Sequence, residues 1–171
     1  MIKANIVLDK KIWEKKLKKP EIYFKKKLNK LSKLSIFKNK NQEFTVMLTN
    51  NKKMKDLNSK FRNKKVSTDV LSFPLKVKLK NKLYLGDIAI SYEIINKRAK
   101  STSFDHELDK MWIHGYLHLL GHDHKKNKDY YLMKKKENLI FKKFVNLKSF
   151  ITGLNSLEMP IIGLNPTISL R

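Results

Sequence analysis

Apolar positions recur along this chain at two different periods. Ile2 to Leu8 alternates loosely, which predicts an opening strand. Asp9 then stands where a helix cap belongs, and Ile12, Trp13 and Leu17 follow at helical spacing. Pro20 restarts that pattern, and Ile22, Tyr23, Leu28, Leu31 and Leu34 continue the same amphipathic surface. Phe44 to Thr49 is apolar and β-branched enough for a second strand, after which Asn50 or Asn51 starts a short helix through Met54, Leu57 and Phe61, with Arg62 just beyond it. Asn58 to Ser67 reads as a basic loop. Val70, Leu71 and Phe73 then predict a buried strand that Pro74 ends.

Lys76 to Lys82 reads as a charged, hairpin-like excursion, and Tyr84 to Ile90 as a further strand entering a helix near Ser91, with Tyr92, Ile94, Ile95 and Ala99 on its buried side. Ser103 or Asp105 starts another helix, packed through Leu108, Met111, Trp112, Gly115 and Leu119. Tyr130 to Leu147 is a lysine-rich helix with Leu132, Met133, Leu139, Ile140 and Phe144 apolar. From Ser149 to Leu170 lysine disappears, and the Gly and Pro of that stretch argue against a long helix. The order of elements predicts an α+β fold, a small mixed β-sheet covered by helices, formed as a single domain over 1–148 with an appended tail of unknown role at 149–171.

Composition narrows the setting. With 171 residues, 41% of them hydrophobic, the chain can build one sizeable core. It has no cysteine, so disulfides and thiolate metal sites are excluded and a reducing, cytoplasmic setting is expected. The first residues lack a small-residue cleavage site, and no stretch approaches the roughly 18 apolar residues of a membrane span, so neither a secretory signal nor a membrane segment is expected. A formal net charge of +24 predicts attraction to a polyanion, nucleic acid before membrane surface. The lysines are spread along the whole chain, so part of this charge is a general Lys-rich bias. Arginine occurs only at 62, 98 and 171, and Arg62 stands in the central basic loop with Lys64 and Lys65. Its planar fork can hold a phosphate bidentately, as lysine cannot.

All five histidines fall between His106 and His124. Residues four apart lie on one helix face, so His114 and His118 point the same way. Gly121 stands where the helix can end in a left-handed residue, and the returning chain can bring His124 to the same ion. This predicts a three-histidine site at a helix C-terminus for one divalent metal ion, Zn2+ first, with a position open for chemistry. Zinc peptidases of similar spacing place a glutamate after the first histidine; here that residue is Gly115, which disfavours peptide hydrolysis. His106, two turns before His114, stands too far along the axis to share the ion and is expected in capping or RNA contact. His122 and Asp123 rank below the three as ligands or proton acceptors. Asp69 and Asp87, carboxylates in apolar segments, are expected to have structural partners, and one of them could orient a metal-bound imidazole.

His114-Gly-Tyr-Leu-His118-Leu-Leu-Gly121-His-Asp-His124, preceded by Thr68-Asp-Val-Leu-Ser-Phe-Pro74 and Leu85-Gly-Asp-Ile88, closely resembles the YbeY family of bacterial endoribonucleases, over about residues 44 to 140. The resemblance implies an α+β fold, cleavage of RNA in ribosomal RNA maturation, ribosomal particles as wider partners, and a place for Arg62 beside the metal, where it would position the scissile phosphate. Lys64 and Lys65 are then expected to bind substrate with it. A non-catalytic RNA-binding assembly factor with a structural metal, and a zinc peptidase or amidohydrolase, are the alternatives. The group that activates the nucleophile stays open between metal-bound hydroxide, an aspartate and the RNA 2′-hydroxyl.

Overall fold

The computed structural model describes residues 1–123 and 127–144. The expectations for His124, for the 149–171 tail and for the end of the last helix beyond 144 therefore lie outside the described residues. Four strands, β1 (Ile2–Leu8), β2 (Gln42–Thr49), β3 (Val70–Leu79) and β4 (Lys82–Ser91), form one sheet in the order β1-β2-β4-β3. β1 pairs with β2 and β2 with β4 in parallel, while β3 and β4 are antiparallel. The helices are α1 (Pro20–Leu31), α2 (Asn51–Arg62), α3 (Tyr92–Arg98), α4 (Phe104–Leu119) and α5 (Asn127–Phe144). The expected mixed sheet covered by helices is thus the observed architecture.

Alternation along the strands divides the sheet into two faces. Ile2, Phe44, Val46, Leu48, Ile88 and Ile90 are buried on one face and join the main core with Phe24, Leu28 and Leu31 of α1, Trp112 and Tyr116 of α4, and Met133 and Ile140 of α5. The other face carries a small cluster, Met54, Leu71 and Ala89, with Leu57 and Phe73 against it. In the register, Leu71 pairs with Ala89 and Ser72 with Ile88, so the residues touching α2 alternate with those facing α4. α2 and α4 therefore cover opposite faces.

Local chemistry sets the ends of the elements. The Asn50 side chain accepts from the Lys53 amide at 3.0 Å at the start of α2, and Asn63, at φ 54°, closes it in the left-handed region. Asn58 to Arg62 are helical rather than looped. Ser103 Oγ accepts from the His106 amide at 3.2 Å at the start of α4. Asp9 caps nothing: it accepts from the Thr49 hydroxyl at 2.5 Å, and only a short 3-10 turn, Lys11–Lys15, follows it. β3 runs through Pro74 to Leu79 instead of ending there. As the edge strand it tolerates a residue without an N–H, and the register slips just afterwards, between Pro74 and Val77, where Lys76 takes φ 55°.

Candidate metal centre

Helix α4 delivers the histidines. Its Gly115 lies flush on the sheet: an added Cβ would stand 2.9 Å from Ile88 Cγ2 and 3.1 Å from Ser72 Oγ. The helix is anchored there, and His114, next to Gly115, and His118, three residues on, are half-buried. Their Nε2 atoms stand 3.0 Å apart. Two ligands of one tetrahedral zinc, each bonded at about 2.0–2.1 Å, have nitrogens separated by about 3.3 Å. The pair is close to that spacing before any ion is considered.

Behind His114, its Nδ1 stands 2.8 Å from Glu137 Oε1 of α5. Half-burial works to raise the Glu137 carboxyl, but the hydrogen bond and charge of His114, aided by Lys134, outweigh it and hold it below the usual carboxylate range. An ionised carboxylate only accepts, so Nδ1 donates to it, and Nε2 is the nitrogen at which this ring would meet a cation. Glu137 was not among the expected site residues. Its signal was its place on the row of Met133, Ile140 and Phe144, the buried stripe of α5, where a carboxylate requires a partner.

The helix ends as expected at Gly121, φ 96°, with the Gly121 amide donating to the His118 carbonyl at 2.9 Å and the His122 amide to the Leu117 carbonyl at 3.0 Å. A side chain at Gly121 would also crowd Lys76 Nζ, which the bulge in β3 carries to within 3.1 Å of the Cβ position. His122 Nε2 lies 2.8 Å from Lys136 Nζ. Burial first, then the charges of Lys136 and Lys76, holds the His122 imidazole below its ordinary value, so it accepts from Lys136 as a neutral ring. Lysines 76, 134 and 136 thus surround the end of α4.

Among the described residues no group of three His, Asp or Glu side chains converges on one point. His114 and His118 are brought together; the third expected ligand, His124, lies outside the described residues. Arg62 is the last residue of α2, exposed, with exposed Lys64 and Lys65 following it. Its neighbour Phe61 stacks edge-on against Phe73 at 5.0 Å, one residue beyond Ser72, whose hydroxyl donates to the Gly115 carbonyl at 3.3 Å. Phe61, next to Arg62, is thus tied through β3 to the seat of α4.

Both aspartates have structural partners. Asp69 pairs with Arg98 at 2.7 Å and accepts from the Val70 amide at 2.8 Å. Burial pushes its carboxyl up, yet the Arg98 guanidinium and the hydrogen bonds hold it below the usual range. Asp87 accepts from the Tyr84 hydroxyl at 2.7 Å. The carboxylate that stands against a histidine of the pair is Glu137. His106 contributes its amide to the α4 cap and packs its ring on Phe141, 5.5 Å between centroids.

Comparison with known proteins identifies the family. The family model described as Endoribonuclease YbeY matches residues 8–145. The chain is 45% identical over 152 residues to the Endoribonuclease YbeY of Pelagibacter ubique, covering 86% of this chain and 99% of that protein. It is 35% identical over 136 residues to the protein of the same name from Ehrlichia canis, covering 78% and 86%. The solution structure of TM1509 from Thermotoga maritima has the same fold, with a TM-score of 0.55 at 24% identity, over 96% of this chain and 100% of that one. The family match spans every helix and the whole of β2, β3 and β4, including both histidines and Glu137, and the chain belongs to the YbeY endoribonuclease family.

Proposed function

We propose that this chain is a metal-dependent endoribonuclease that cuts single-stranded RNA in the cytoplasm during ribosomal RNA maturation, with ribosomal particles as its wider partner. The observation that carries the proposal is the pair of Nε2 atoms 3.0 Å apart with a carboxylate on the far nitrogen of one ring, in a member of this family. An imidazole buttressed in this way suits Zn2+ among the divalent ions of a cell. His114 and His118 would hold the ion, with His124 as the third ligand, and the ion would supply Lewis acidity and positive charge at a scissile phosphate.

The chain's own residues do the rest. Glu137 keeps the proton on Nδ1 of His114 and fixes the plane of that ring. Lysines 76, 134 and 136 draw the anionic strand towards the end of α4. Arg62, with Lys64 and Lys65, would hold phosphates of the same strand. Arg62 is the residue proposed to position the scissile phosphate and stabilise its charge. Gly115 argues against peptide hydrolysis on steric grounds, because the space where a peptidase needs its glutamate is filled by Ile88 and Ser72.

The test is incubation of the purified full-length chain with single-stranded RNA and, separately, with a peptide, each with and without chelator, beside His114→Ala and Arg62→Ala. RNA cleavage by wild type alone, abolished by chelator and by His114→Ala and reduced at least about a hundredfold by Arg62→Ala, is expected. A folded His114→Ala protein that still cuts overturns the reading. Products ending in 2′,3′-cyclic phosphate would identify the RNA 2′-hydroxyl as the nucleophile.

A further inference from the structure

At the end of α4 lies a cavity of about 180 Å³ that the proposed metal site does not use. Its apolar walls are Ile36 and Phe37, from the 3-10 turn Ser35–Phe37, and Leu117 and Leu120 at the end of α4. Polar groups are confined to Lys40, Gln42, His122 and Lys136. Gln42 Oε1 already accepts from the Tyr116 hydroxyl at 2.9 Å, which leaves the amide NH2 as its donor. Lys136 donates one proton to His122 and keeps two more. Flat apolar walls with donors and positive charge around them complement one chemical class well: a planar ring carrying carbonyl acceptors, attached to a phosphate.

We infer that this cavity receives one unstacked nucleobase of the RNA strand, with the adjoining phosphates on Lys136 and exposed Lys40. This rests on the RNA-cleaving reading and deepens it. The volume lies below the roughly 300–1,000 Å³ of pockets for drug-sized ligands, so one base enters rather than a stacked pair. Leu117 stands on α4 with His114 and His118, and Lys136 on α5 with Glu137, so the same two helices carry the cavity and the histidine pair. A duplex keeps its bases stacked and paired, so the cavity selects single strands.

The experiment measures binding of the full-length protein to a short single-stranded 2′-O-methyl oligoribonucleotide by fluorescence anisotropy, with an abasic sugar placed at each position in turn. One position is expected to weaken binding roughly five- to a hundredfold when its base is removed, and the others little. Leu120→Trp, which fills the cavity, is expected to abolish that position dependence while melting like wild type. Uniform binding of all abasic strands overturns the inference, as does a folded Leu120→Trp protein that keeps the dependence. The wild-type scan decides even if the variant folds poorly. Either negative result leaves chelator-sensitive cleavage untouched, whereas chelator-insensitive cleavage removes the metal reading without altering the abasic comparison.

Discussion

Three side chains determine how the site behaves. His114 and His118 share a helix face because they are four residues apart, and Glu137 holds the Nδ1 side of the His114 ring, so that a cation would approach at Nε2. Glu137→Ala is expected to weaken Zn2+ binding about 10–100-fold, measured by titration of the chelator-stripped protein, without unfolding it. Unchanged affinity would make the carboxylate a mere neighbour. The histidine spacing was legible in the sequence because helical periodicity is local. The contact with Glu137 was not, since it joins α4 to α5 across 23 positions and depends on how those helices cross. Asp69 attracted attention instead because it stands in an apolar segment, but Arg98 already satisfies it.

At the scale of elements, the seating of α4 on β3 and β4 controls where the histidines stand. Gly115 is the contact that permits it, so Gly115→Ala is expected to destabilise the fold by about 1–3 kcal/mol in urea unfolding as the helix lifts or Ile88 shifts. A neutral result would mean the helix has room to spare. The strand ends were less legible than the helix ends. Asn50, Ser103 and Gly121 carry their capping chemistry in their own side chains or backbone freedom. Whether Pro74 stops a strand depends on that strand's place in the sheet, and β3 lies at the edge, a property of topology that its own residues do not state.

For the whole molecule, net charge and the two-faced sheet matter most. The +24 charge predicted a polyanionic partner, and the structure gathers Lys76, Lys134 and Lys136 at one end of α4 from elements far apart in sequence. If four or more phosphates are neutralised, the logarithm of the RNA association constant should fall against the logarithm of salt concentration with a slope of about −3 or steeper. A slope near zero would remove electrostatics from recognition. The α+β class was legible from the order of periodic segments, but the position of α2 on the face opposite α4 was not. The most direct measurement of all is the stoichiometry of divalent metal bound by the stripped full-length chain and by His118→Ala. One ion per chain for wild type, with affinity lowered more than about a hundredfold in the variant, is expected; equal binding by the two proteins would contradict a metal centre built on this pair.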